Sequence, residues 1–212
     1  LTIGPGITIH GQKGYVGNAS LPLVNQGAIV SDAGQTITVQ GNSVTNLGTI
    51  QGLGGTVALS GAWVNNGLLA GTNGSLNFSG NWSNAGSIAV SNSTVNLGGT
   101  FTTAQLGGIS QTNSVFVVTG TLLNSNATLV LTGSWQLNGG TIRGGTITAS
   151  AGAGLTVTGN STLDGVTLNA DGLLQAGDYC SSLSLTVVNG LTLNGAVTLS
   201  RADRYHGKGY LS

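Results

Sequence analysis

From about residue 24 onward, apolar and polar positions alternate in short runs, and the runs recur at a nearly fixed spacing. Ile37, Val57, Leu76, Val95 and Val115 form one series, at intervals of 20, 19, 19 and 20 residues. A second series runs two residues behind it, at Val39, Leu59, Phe78, Leu97 and Val117. The residues between and around them are mostly Thr, Ser, Asn or Ala. This period of two is the signature of a strand with one face buried, and no useful length of chain holds a helical period. Between the runs stand Asn25, Asn46, Asn65 and Asn84, each followed two residues later by a Gly. Trp63, Trp82 and Phe101 stand 19 residues apart, in phase with all of this.

Antiparallel hairpins in a sandwich place turns every 8–12 residues or so. Identical positions recurring once per 19–21 residues instead predict one turn of chain laid on the next. The expected fold is all-β: a single-stranded parallel β-helix solenoid of roughly ten coils, each stacked about 4.8 Å above the last. Like residues then form ladders. Ile37, Val57, Leu76, Val95 and Val115 make an aliphatic column. Trp63, Trp82 and Phe101 make an aromatic stack, and Asn25, Asn46, Asn65 and Asn84 an amide ladder at a turn.

The whole of 1–212 reads as one solenoid. Residues 1–23 form an irregular first coil, with Ile3, Ile7 and Ile9 alternating and Pro5 and Pro22 at turns. Residues 24–137 are the regular coils, although Trp135 falls out of phase. Residues 138–200 are shorter Gly-cornered coils, with a loop expected to project at 171–182. Residues 201–212 are a polar turn into a further strand at Gly209. Neither end supplies the polar cap that solenoids need. The chain is therefore expected to be an excerpt of a longer polypeptide, or to have ends covered by neighbouring subunits.

Composition sharpens this picture more by exclusion than by addition. Gly accounts for 38 residues, Pro for 2, and only 5% of the chain is charged. No apolar run reaches the roughly 18–20 residues of a transmembrane helix. The regular supply of Val, Ile and Leu excludes disorder. The formal net charge is zero, which gives no basic patch for nucleic acid. The single Cys180 makes no intramolecular disulfide and reads as a small hydrophobe.

The turns Val64-Asn65-Asn66-Gly67-Leu68-Leu69 and Ser83-Asn84-Ala85-Gly86-Ser87-Ile88 resemble the Asn-x-Gly-x-Ile turns of large secreted bacterial repeat proteins. These are the filamentous-haemagglutinin-like adhesins and autotransporter passenger domains. The segments Asn138–Ile147 and Asn189–Gly195 resemble the repeats of very long bacterial surface proteins. The resemblance covers most of 24–200. It implies a right-handed β-helix, secretion to the cell surface, and a part in adhesion or a surface fibre. It carries no catalytic motif.

Few residues are ionisable. There is no Glu, and the carboxylates are Asp32, Asp164, Asp171, Asp178 and Asp203. Glycoside hydrolysis needs a carboxyl pair and calcium needs several oxygens, so neither is expected here. His10 and His206 lie at opposite ends of the chain. The chain is therefore read as non-enzymatic, with no metal and no cofactor. Trp63 and Trp82 are a candidate platform for sugar rings if they face outward, and core if they face inward. The Thr pairs 36/38, 146/148 and 156/158 are too scattered for a flat hydroxyl array.

The expected function is that of an extracellular structural building block of a bacterial surface fibre or filamentous adhesin. Its partners would be further copies or repeats of itself, through Leu1, Thr2 and Ile3 at one end and Tyr210 and Leu211 at the other, and surface glycans. The alternative is a carbohydrate-binding adhesin module, and behind that a polysaccharide lyase or hydrolase.

Overall fold

The alternation decides the architecture, because a strand with one apolar face must bury it, and stacked coils bury it against one another. The computed structural model describes residues 1–32, 34–176, 183–201 and 209–212. It is an all-β parallel solenoid of about nine turns. Two compact units divide it, Leu1–Ser114 and Val115–Ser212.

In the first unit each coil contributes one strand to each of three parallel sheets. The coil beginning at Ala62 shows the pattern with strands Ala62–Asn65, Leu68–Thr72 and Ser75–Phe78. The next coil repeats it with Asn81–Asn84, Ser87–Ser91 and Thr94–Leu97. Register is strict: Trp63 pairs with Trp82, Asn65 with Asn84, Leu69 with Ile88 and Leu76 with Val95. Every second residue is buried, so the solenoid interior is a set of columns. Ile37, Val57, Leu76 and Val95 form one such column in register and are all buried, as the spacing predicts.

Glycine sits where backbone meets backbone. Gly67, in the Asn-x-Gly turn, lies so close to Gly48 of the preceding coil that a Cβ there would stand 2.2 Å from its carbonyl oxygen. Gly80 combines this closeness with a φ of +80°, so a side chain there is opposed twice. At another corner the left-handed conformation passes from Gly34 and Gly54 to Asn73, Asn92 and Asn113, the non-glycine residue that tolerates it best.

Four expectations need correction. The first coil is not irregular. Thr2–Ile3, Thr8–Gly11 and Gly14–Val16 each pair in register with the second coil, although only Ile3 and Val16 are buried in them. Val115 is not a core residue: it is half-buried, and Phe116 is fully buried in its place. The reason is a 3-10 turn at Thr103–Leu106, which lengthens that coil and moves the inward phase by one residue. The coils after 138 are not uniformly shorter. Strands Ser161–Asn169 and Leu183–Leu193 are the longest in the chain, the first bending at a register shift between Asp164 and Val166 instead of breaking at Gly165. The loop expected at 171–182 is in part a strand, Gly172–Ala176, paired with Gly154–Val157. Residues 177–182, with Asp178 and Cys180, lie outside the described residues, as does the polar turn at 202–208. The further strand at Gly209–Leu211 is present and pairs with Leu183–Leu185.

The glycine geometry gives a direct test. Gly54 has φ +70° and nothing within 4 Å of its would-be Cβ, whereas a Cβ on Gly80 would stand 2.1 Å from the Gly61 oxygen. Gly54→Ala is expected to cost about 1 kcal/mol, the strain of a left-handed alanine alone. Gly80→Ala costs clearly more, because a backbone carbonyl must also move. Urea denaturation followed by Trp fluorescence compares the two.

Candidate functional site

The inward position at the end of four successive first-sheet strands holds an asparagine, and burying an amide is costly unless every polar atom is bonded. Stacking solves this in series. Asn25 Nδ2 donates to Asn46 Oδ1 at 2.7 Å, Asn46 Nδ2 to Asn65 Oδ1 at 2.6 Å, and Asn65 Nδ2 to Asn84 Oδ1 at 2.6 Å. The ladder expected from the spacing is therefore present, runs in one direction, and is buried throughout. The two middle amides also tie down their own turns: Asn46 Nδ2 donates to the Gly48 carbonyl, Asn65 Nδ2 donates to the Gly67 carbonyl, and Gly67 N–H donates back to Asn65 Oδ1. At the far end Asn84 Nδ2 donates to the Leu106 carbonyl at 2.6 Å, which fastens the 3-10 turn. At the near end Asn25 Oδ1 is buried and accepts nothing, because the coil before it places the apolar Ile3 in that position.

Two residues before each of the last two ladder amides stands a tryptophan. The Trp63 and Trp82 rings stack at 5.2 Å with planes 6° apart, and Phe101 follows on Trp82 at 4.8 Å. Phe78 meets both indoles edge-on, at 4.9 and 5.4 Å. Both indole N–H groups are used within the fold, Trp63 donating to the Ser79 carbonyl and Trp82 to that of Gly98. Trp63 and Trp82 are 3% and 2% exposed. A sugar platform needs an open ring face, and these rings have none; the aromatic column is core.

Outside this column the sheet carries a groove of about 290 Å³. Its floor is the outward neighbours of the buried residues: Thr45, Val64 and Ser83 in one column, with Ser43, Ala62 and Asn81 beside it. Gln105 on the 3-10 turn forms one wall, held there because its Oε1 accepts from the Thr102 N–H at 2.7 Å.

The remaining expected residues are dispersed. Leu1 is exposed, and its ammonium donates to the Pro22 carbonyl. Thr2 pairs with Val24, and Ile3 points into the core. Tyr210 and Leu211 are exposed on the last described strand. His10 Nδ1 lies 2.8 Å from Asp32 on an exposed face. Among the described residues no three of His, Cys, Asp or Glu gather as metal ligands.

In the second unit Arg143 and Asp164 occupy paired positions, with Nε 2.8 Å from the carboxylate. Asn189 Nδ2 donates to the other carboxylate oxygen at 2.7 Å. The Asn189 hydrogen bond, followed by that of Arg143 and its charge, holds Asp164 below the ordinary carboxylate value; partial desolvation opposes them.

Several ladder members lay beyond the sequence reading. Asn124 is fully buried and donates to the Thr146 carbonyl, as Asn65 does to that of Ser87. Trp135, out of phase with the first stack, founds another with Phe116 at 5.0 Å. Asn96 donates to Asn77 at 2.6 Å on the outer face of the third sheet. The one signal for Phe116 was an apolar run, Val115–Val118, too dense for strict alternation.

Two measurements probe these arrangements. Asn65→Ala removes bonds to Asn46, Asn84 and both polar atoms of Gly67, so it is expected to cost about 3 kcal/mol in urea denaturation. Asn25→Ala, which removes only donor bonds, costs less. Asp164 has a depressed folded pKa, so its stabilising effect is complete above the ordinary value of 3.8 and is lost as pH falls through the folded value. Asn189→Ala raises the Asp164 pKa towards 3.8, and more so than high salt does, because the hydrogen bond outweighs the Arg143 charge. NMR titration of the Asp164 carboxyl carbon reads both. Comparison with protein-family models, curated proteins and solved structures returns no match, so the functional argument rests on this geometry.

Proposed function

We propose that this chain is a non-enzymatic structural module of an extracellular bacterial fibre or filamentous adhesin, and that its work is mechanical. The observation that carries the reading is the unbroken amide ladder Asn25–Asn46–Asn65–Asn84 beside the stack Trp63–Trp82–Phe101. The bulkiest aromatics and the buried amides of the first unit are committed to holding one coil on the next. A site-bearing scaffold would instead turn some of them outward. In-register backbone ladders resist separation of coils collectively, which suits a load-bearing element.

The low charge supports the same reading. The edge segment Leu1-Thr2-Ile3 carries neither Pro nor a charged side chain, and such an edge templates further pairing, so copies or neighbouring repeats of the same solenoid are natural partners. Secretion and adhesion enter through the resemblance of the Asn-x-Gly turns to those of bacterial surface repeat proteins.

Electron microscopy of the purified chain is the test. Filaments with an axial repeat near one chain length are expected. Uniform single particles at all concentrations would overturn self-assembly, and turnover of pectin-like polysaccharides would overturn the non-enzymatic reading.

A further inference from the structure

We propose that the groove on the outer face of the first sheet, around Val64, binds an uncharged sugar unit of a glycan. The argument begins from the alternation that buried the tryptophans. Because Trp63 and Trp82 point inward, Val64 and Ser83 point outward, and the groove volume of about 290 Å³ is near the lower limit for small-ligand sites. Val64 lies in its floor with 39% of its surface exposed, an apolar centre for the C–H face of a sugar ring.

Around that centre stand Ser43, Thr45, Asn81 and Ser83, whose side chains have no protein partner among the described residues. Three hydroxyls and an amide supply both donors and acceptors, the mixture a polyhydroxylated ligand requires. Thr45, Asn81 and Ser83 stand on paired strands and Ser43 immediately precedes one, so little order is lost on binding. Gln105 is positioned by two independent bonds: its own Oε1 to Thr102 N–H, and the Asn84 amide that anchors its turn through the Leu106 carbonyl. With its Oε1 so engaged, the NH₂ is the remaining polar group that this lining residue can offer.

Charge selects the ligand class. None of the lining residues is ionisable, and the first unit's only charged side chains and histidine, His10, Lys13 and Asp32, belong to its first two coils. An acidic or basic ligand would lose hydration here without gaining a counter-charge. A neutral hexose or N-acetylhexosamine has no charge to desolvate, and the hydroxyls and amide of the groove replace the water hydrogen bonds it gives up. This inference goes beyond the structural reading and does not depend on polymerisation.

The test is retention of the 212-residue chain on an array of neutral and acidic glycans, followed by calorimetric titration with the neutral glycan best retained. Neutral glycans are expected to bind and acidic ones not. Val64→Lys, which places a charge on the groove floor from an outward position, is expected to weaken binding more than tenfold. Asn81→Ala and Ser83→Ala each weaken it about fivefold, one lost hydrogen bond apiece. Tyr15→Ala, on the outer face of another sheet, leaves it unchanged. Should Val64→Lys fail to fold, the double variant Asn81→Ala, Ser83→Ala decides in its place. No retention of any neutral glycan, preference for acidic ones, or equal binding by the groove variants would overturn the site. Filament formation is scored separately by microscopy, so either proposal can fail alone.

Discussion

Everything in the first unit follows from one distance, the spacing of about 4.8 Å between hydrogen-bonded parallel strands. With strict register, each side chain meets its own counterpart one coil on. A residue is then selected by how well it packs on a copy of itself. Aliphatic side chains do so without loss, aromatic rings do so by offset stacking, and amides do so by donating along the column. Trp63 on Trp82 and Asn65 on Asn84 are this rule applied within a single pair of strands.

The amide ladder adds what apolar columns lack. A slip of one residue in an aliphatic column exchanges faces, but a slip of a whole coil position still leaves apolar on apolar. A buried asparagine opposite an aliphatic residue is left unbonded, as Asn25 Oδ1 is opposite Ile3. The ladder thus penalises misregister specifically, and the Asn-x-Gly turns link it to the corner. Gly48 and Gly67 permit the close backbone approach that brings successive amides within bonding distance.

How much of this was legible depended on whether the period was kept. Asn25 to Asn84 and Trp63 to Phe101 announce themselves because their spacing is constant, and constant spacing means constant register. The phase changes at Thr103–Leu106, where a 3-10 turn contributes the buried Leu106 but no strand. From there Val115 was read inward in place of Phe116, and Trp135 was an anomaly instead of a stacking partner. The long strand Ser161–Asn169 was hidden by Gly165, which alone reads as a corner but here accommodates a bulge. Whether Trp63 and Trp82 face inward was not encoded in their spacing at all. It follows from the Asn two residues on, whose amide must be buried to form its ladder, and a side chain two residues away lies on the same face.

The same register explains why so little of the chain is charged. In a parallel in-register stack a repeated charge would sit one strand spacing from its copy, and like charges directly opposite are destabilising. A charged residue is accommodated most readily where its coil neighbour carries the opposite sign. The described ion pairs obey this. Arg143 sits in register opposite Asp164, and His10 reaches Asp32 on the coil above. Columns of Ser, Thr and Asn are the remaining polar solution, since hydroxyls and amides are donor and acceptor at once and tolerate their own copies. An outer face poor in charge is therefore favoured by stacking itself, before any partner selects it.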